Sequence, residues 1–205
     1  MTGSEPPVPE NEKERIVNLA EFGLDFSDLE DNFRDLTLLA AKIAGTPMSL
    51  VNLINSYKQC TIASYGLPAQ DLPSDNSICQ YTVMGMDAFE VKNLAEDNRF
   101  KNRHYVKEEP HLRYYLGVPL ITEKGCHIGA LCVLNTQARE SDPEKTVLLT
   151  IVAREFVHRL QAIRTIKILR DKAAEANEIK KRVVHDIRGP IGGIIGIGLP
   201  VCHKT

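Results

Sequence analysis

The chain has 205 residues, 25 basic and 27 acidic side chains for a formal net charge of -2, 43% hydrophobic residues and no tryptophan. That is room for one good-sized domain plus an appendage, with no excess positive charge to draw it to nucleic acid. No apolar run approaches the roughly 20 residues of a membrane span, and the start MTGSEPPVPENEKER has no signal-peptide core. Five scattered cysteines, none in a C-x-x-C pair, fit a reduced cytoplasmic interior.

Residues 1–10, rich in Pro and Glu, are expected to be disordered. Asn11 is placed to cap a helix to about Glu21, with Ile16, Leu19 and Ala20 on its apolar side and Gly23 at its end. Ser27 is placed to cap a second helix, Glu30 completing a capping box. Its core face reads Leu29, Phe33, Leu36, Leu39 and Ile43, and Gly45 stops it. Strands are then predicted over 49–54 and 59–65 as a hairpin. A Pro- and Asp-bearing loop over 66–75, a short helix over 77–84 and a strand over 89–91 follow. The polar stretch 92–114 is irregular and of a length that often carries function. Strands over 115–122 and 128–134, joined by the turn at Glu123-Lys-Gly125, complete the pattern. Helices, antiparallel hairpins and a closing helix predict an α+β domain.

Asp142 as N-cap and Pro143 in the first turn open a long helix that runs to about Pro190. Apolar residues recur every three or four positions at Phe156, Leu160, Ile163, Ile166, Leu169, Ala173, Ala176, Ile179, Val183 and Ile187. The mean step of about 3.5 suits a partner helix. At ~1.5 Å per residue the run spans ~65 Å, more than one domain of this size. A parallel homodimer through this helix is the expectation.

Three stretches carry a resemblance: Leu94-Ala-Glu-Asp97-Asn-Arg99-Phe100, Pro110-His111-Leu-Arg113-Tyr114-Tyr115-Leu-Gly117-Val-Pro119-Leu120, and Ile128-Gly129-Ala-Leu131-Cys132-Val133. With the element order over 11–160 they resemble GAF domains, of the bacterial type found ahead of histidine kinases. The resemblance implies a central antiparallel sheet with helices on one face and a loop-roofed pocket on the other. The domain plan is then a disordered 1–10, a GAF sensory domain 11–160, and 161–205 as a linker and truncated phosphoacceptor helix.

The hexad His185-Asp186-Ile187-Arg188-Gly189-Pro190 resembles the phosphoacceptor box of sensor histidine kinases. In that reading the His185 imidazole attacks the γ-phosphoryl group of ATP, and Asp186 orients the ring and accepts its proton. Gly189 stands where the family has Thr, Ser or Asn, which puts phosphatase activity in doubt. No Asn-rich nucleotide box or second dimerisation helix is found in the residues given. The chain is therefore expected to be inactive alone. ATP and Mg belong to the ATP-binding domain of a parent kinase, and phosphate passes to a response regulator. The tail Gly198-Leu-Pro-Val-Cys-His203-Lys204-Thr205 nearly matches a phosphate loop, but His203 stands where the second glycine is required, and that reading is rejected.

Candidates for a ligand pocket are Cys79, Tyr81, Asp97, Arg99, His104, His111, Arg113, Tyr114 and Tyr115. Some GAF relatives attach a bilin through a cysteine directly before a histidine; Pro110 holds that position here, which excludes a covalent bilin at it. The cyclic-nucleotide GAF signature is not found. Arg99 could hold an anionic ligand, although pairing with Asp97 to fasten the loop is favoured. His111 and Arg113 could likewise tie the loop to the sheet. No metal site is expected: Cys126, His127 and Cys132 lack paired tetrahedral spacing. Two other functions compete with the kinase reading. One is a thiol enzyme like the GAF proteins that reduce free methionine sulfoxide, using Cys60, Cys79, Cys126 or Cys132. The other is a ligand-free dimerisation module.

Overall fold

A computed structural model describes residues 8–23 and 29–195, with side chains through His185. Ser27 and its capping box, most of the N-terminal stretch, and the glycine-rich tail from Gly196 lie outside the described residues. So do the side chains of Asp186, Ile187, Arg188 and Pro190. The chain divides into two units, Met1–Gln161 and Ala162–Thr205.

The first unit begins with α1 (Glu12–Ala20) and α2 (Glu30–Ala44). Asn11 precedes α1, but its side chain makes no cap bond. The inward face of α1 is not the expected one: Arg15, Asn18 and Leu19 are buried, while Ala20 is exposed and Ile16 half-buried. The cause lies in the strands beneath. Arg15 Nη1 donates to the carbonyls of Ile54 and His127, and Asn18 Oδ1 accepts from Thr122 Oγ1 at 2.9 Å. These polar groups at the sheet margin have to be met. The face of α2 is also turned. Leu29, Phe33 and Leu36 are buried as expected, but Ala40, Ala41 and Ala44 follow them inward, leaving Leu39 47% exposed and Ile43 half-buried. Small alanines let the helix approach the sheet where leucine or isoleucine would hold it off. Gly45, at φ 66, ends α2 in a left-handed conformation.

The strands are β1 (Met48–Ile54), β2 (Lys58–Tyr65), β3 (Leu72–Pro73), β4 (Phe89–Val91), β5 (Tyr114–Ile121) and β6 (His127–Asn135). They form one antiparallel sheet in the order β3-β2-β1-β6-β5-β4. The expected hairpins stand within a residue or two. Asn55 Oδ1 closes the first by accepting from the backbone of Tyr57 and Lys58 at 2.9 and 2.8 Å. Gly125, at φ 74, closes the turn before β6. Two elements differ from expectation. The short edge strand β3 lies inside the expected loop 66–75, and α4 (His104–Lys107) lies inside the stretch expected to be irregular. The short helix over 77–84 narrows to α3 (Cys79–Thr82).

The long helix is α5 (Pro143–Ile195). Asp142 caps it, its Oδ1 accepting from Lys145 N at 3.3 Å. Leu149, Val152, Ala153, Phe156, Val157 and Leu160 form one buried stripe. Phe156 stacks on Phe33 with ring centroids 5.1 Å apart. Alternation along the strands gives the sheet two faces. Val51, Ile62 and Leu120 meet Phe33 and Phe156 on the helical face. Leu50, Ala130, Cys132 and Leu134 belong to the opposite one, where α3 and the loops pack. The sheet is therefore GAF-like, α+β, helical on one side and loop-covered on the other.

In the second unit α5 continues as helix to Ile195. Ile166, Leu169, Ile179 and Val183 of the expected stripe are 49, 61, 55 and 50% exposed in the single chain. Among the described residues no helix is long and apolar enough to cross a membrane.

Candidate functional site

A cavity of about 350 Å³ opens on the loop-covered face. Its floor is Asn52 of β1, Thr61 of β2, Tyr115 of β5 and Cys132 of β6, with Cys79 of α3 beside them. Its rim comes from the loop before β3 and from the segment around α4.

Asn52 organises the floor. Its side chain is fully buried, and the β1–β2 register shifts between Val51 and Asn52, so that Asn52 faces Thr61. Thr61 Oγ1 donates to Asn52 Oδ1 at 2.8 Å, while Asn52 Nδ2 donates to Cys79 Sγ at 3.3 Å and Cys132 Sγ at 3.4 Å. Tyr115 Oη donates to Cys79 Sγ at 3.3 Å and lies 2.7 Å from Thr82 Oγ1. Gly117 makes room for this arrangement: a Cβ there would overlap the Tyr115 hydroxyl and Thr82 Oγ1. Ser77 Oγ donates to Gln59 Oε1 at the edge of the floor. Every polar atom named here has a partner, as buried polar groups require.

Of the ligand-pocket candidates named from the sequence, the cavity gathers Cys79, His104 and Tyr115, and of the candidate thiols Cys79 and Cys132. His104 is exposed at the rim, edge-on to Tyr105 with ring centroids 5.0 Å apart. The others lie elsewhere. Arg99 is bound to Asp97 at 2.6 Å, and its guanidinium sits 5.3, 5.1 and 5.0 Å from the ring centroids of Tyr81, Phe89 and Phe100. That ion pair on an aromatic cluster fastens the loop, and Arg99 holds the Asp97 carboxyl below its usual range through a direct hydrogen bond. Tyr114 donates to Glu90 Oε1 at 2.7 Å. His111 is exposed at φ 57 after the cis Glu109–Pro110 bond, and Arg113 Nη1 donates to the carbonyls of Val106 and Leu112 at 2.8 and 3.0 Å. Among the described residues no three His, Cys, Asp or Glu side chains converge as a metal site would require.

Sequence reasoning passed over Asn52, Thr61 and Gln59, and named Cys132 as one of four candidate thiols without singling it out. One signal was present. Asn52 is the single amide inside the apolar run Ser49-Leu-Val-Asn52-Leu-Ile54, at the parity of a core-facing position.

The model of the GAF domain family matches residues 28–160. Over 176 residues the chain is 30% identical to a cyclic di-GMP phosphodiesterase of Pseudomonas aeruginosa, a match that takes in 85% of this chain and 30% of that protein. The chain thus spans under a third of that relative's length. Among solved structures it is similar to the GAF domain of a phosphoenolpyruvate-protein phosphotransferase from Coxiella burnetii, with a TM-score of 0.58, 13% identity, and 77% of this chain and 97% of that one covered. It is similar also to free methionine-R-sulfoxide reductase from Neisseria meningitidis, with a TM-score of 0.55, 16% identity, and 76% and 91% covered. The second GAF domain of DevS from Mycobacterium smegmatis gives a TM-score of 0.52 at 16% identity, with 71% and 99% covered. At these identities the structural likenesses speak to the fold. With the family model running through more than half of the chain, and with the antiparallel sheet and the loop-roofed cavity that the resemblance implied, this chain belongs to the GAF domain family of signalling sensor modules.

Proposed function

We propose that this GAF module is the input of a sensor histidine kinase and that His185 is the phosphoacceptor it controls. The observation that carries the reading is the hexad from His185 to Pro190, set on a helix that begins on the GAF sheet and keeps its helical backbone through all six residues. His185 is exposed on that helix, so its imidazole is within reach of an ATP-binding domain. A neutral ring nitrogen attacks the γ-phosphorus, ADP leaves, and the ring proton passes to a base, the role assigned to Asp186. A signal at the cavity would alter the packing of α5 and so the presentation of His185. The cyclic di-GMP phosphodiesterase named above is similar to this chain over 176 residues, under a third of its own length, and its activity is not carried over.

An isolated ATP-binding domain of a histidine kinase, supplied with Mg-ATP, is expected to label this chain with acid-labile, base-stable phosphate. His185→Gln is expected to abolish the label. His158→Gln keeps it, because His158 is an exposed residue of the first unit, 3.9 Å from Glu155. Label that persists in His185→Gln, or none in the wild type, removes the reading.

The exposed stripe of Ile166, Leu169, Ile179 and Val183 supports a second copy of this chain as the cover for α5, in a parallel pair. Sedimentation at micromolar protein is expected to give a dimer, and a monomer once residues 162–205 are removed. A monomer in both preparations excludes the pairing.

A further inference from the structure

Two thiols meet at the floor of the cavity. Cys79 comes from α3 and Cys132 from the middle of β6, and a single amide nitrogen, Asn52 Nδ2, touches both sulfurs at 3.3 and 3.4 Å. The two are 3% and 1% exposed, yet both line the cavity. They are set apart from the other described thiols: neither Cys60 nor Cys126 lines it. We propose that Cys79 and Cys132 form a dithiol that reduces small uncharged hydroperoxides entering the cavity, Cys79 attacking and Cys132 resolving.

The chemistry of the floor supports these roles. The neighbouring Cys132 thiol, by its hydrogen bond, is the largest influence on Cys79 and lowers it to about 7. Burial opposes this, while Tyr115 and Asn52 donate further hydrogen bonds that favour the thiolate. Cys132 is pushed well above the ordinary thiol value, first by the same contact and then by burial. The geometry separates the two sulfurs: Cys79 Sγ accepts from both Asn52 Nδ2 and Tyr115 Oη, while Cys132 Sγ keeps its proton on the Leu50 carbonyl at 3.6 Å, so the thiolate is placed on Cys79. Cys60 and Cys126 are raised, burial being the first cause in each.

In the first step the Cys79 thiolate sulfur attacks the terminal oxygen of ROOH. The O–O bond breaks, an alkoxide leaves and takes a proton to become the alcohol, and Cys79 becomes a sulfenic acid. In the second, Cys132 sulfur attacks Cys79 sulfur and the S–O bond breaks. The departing hydroxide takes the Cys132 proton and leaves as water, and a disulfide remains. Two thiols and one hydroperoxide give one disulfide, one alcohol and one water; the two electrons pass from the sulfurs to the O–O bond. The Tyr115 hydroxyl, held by Thr82 and donating to Cys79, positions the thiolate.

The walls indicate the substrate class. Leu50, Leu67, Ile78 and Leu134 are apolar, and the described lining includes Glu109 but no lysine or arginine. An amino-acid sulfoxide would bring a carboxylate into a lining with no lysine or arginine, where only His104 at the rim offers a basic group; an uncharged alkyl hydroperoxide brings no such group. This inference is independent of the phosphoacceptor reading, since neither sulfur lies on α5.

The test uses the full chain, fully reduced and then freed of reductant. One equivalent of cumene hydroperoxide is expected to remove two hydrogen masses from the intact protein, with fragment spectra placing the link between Cys79 and Cys132. Cys132→Ser is expected to stop at a sulfenic acid on Cys79 that dimedone traps. The rate in the wild type should rise with pH through about 7, as the Cys79 thiolate forms. A wild-type chain oxidised only at other cysteines overturns the proposal without recourse to any variant. Faster oxidation by free methionine sulfoxide than by cumene hydroperoxide overturns the substrate class.

Discussion

Arg15→Ala is expected to destabilise the folded chain by about 2–4 kcal/mol, chiefly from strand carbonyls left without their donor at roughly 1–3 kcal/mol each, the half-buried Glu12 losing its partner as well. Arg15 has no exposed surface. Its Nε and Nη2 donate to Glu12 at 2.7 and 2.9 Å, and its Nη1 serves the Ile54 and His127 carbonyls, where the β1–β6 ladder has already ended at Leu53 and Gly129. Alanine would leave two strand carbonyls unmet and Glu12 with Ser56 alone among these partners, Ser56 Oγ donating to it at 2.9 Å. Against a typical domain stability of about 5–15 kcal/mol, this is a large fraction. Arg15→Lys should recover only part, because one ammonium cannot serve the carboxylate and both carbonyls with a fork's geometry. The chain has no tryptophan, so urea unfolding followed by far-UV circular dichroism is the measurement.

The pH dependence of this effect has a definite sign. Burial raises the Glu12 carboxyl, but the hydrogen bond and charge of Arg15, with the Ser56 hydroxyl, outweigh it and hold Glu12 below its ordinary value of 4.5. A carboxyl lowered on folding stabilises above its unfolded value and loses that contribution as pH falls through the folded one. The gap between wild type and Arg15→Ala should therefore narrow below pH 4.5. A gap that stays constant into acid would assign the loss to packing alone.

Phe156→Ala is the second large effect, expected to cost about 3–5 kcal/mol as a buried aromatic-to-alanine truncation. Phe156 is 2% exposed and stacks on Phe33, itself fully buried, with an interplanar angle of 23°. Val51, Ile62, Leu120, Val157 and Leu160 close around the pair. The side chain joins α5 to α2 and to the helical face of the sheet, so its removal loosens the junction through which any change in the sheet would reach the helix. Leu169→Ala supplies the contrast. Leu169 lies on the same helix but is 61% exposed, and its replacement should change the unfolding free energy of a monomeric sample by well under about 1 kcal/mol. Equal losses in the two variants would contradict the assignment of Phe156 to the core.

The hairpins, the start of α5 and its stripe were legible because each rests on local signals. The short apolar run over 49–54, the Lys124-Gly125 turn and the Asp142-Pro143 pair act within a few residues of themselves, and the structure keeps each one. The stripe from Phe156 to Leu160 is buried for the same reason: its period matches the helix whatever covers it. The Asp97–Arg99 pair was also legible, since its partners are two residues apart.

The rest had no local signature. Which face of α1 turned inward depended on carbonyls of Ile54 and His127 that are distant in sequence from Arg15, and a charged residue displaced the alanine expected there. The choice between Leu39 and Ala40 on α2 was set by how closely the helix approaches the sheet, which its own periodicity does not state. The floor of the cavity brings together residues 52, 61, 79, 115 and 132. Asn52 meets Cys132 because β1 pairs with β6 in one register, with Leu50 opposite Cys132 and Asn52 opposite Ala130. A slip of one residue would turn Asn52 to the helical face. By itself, then, the sequence determined the two hairpins, the start of α5 and the hexad at His185, because those patterns are short-range, but not β3 or α4. Strand register and helix seating decided the thiol pair, the buried arginine and the cavity, because each is a contact between chain segments far apart in sequence.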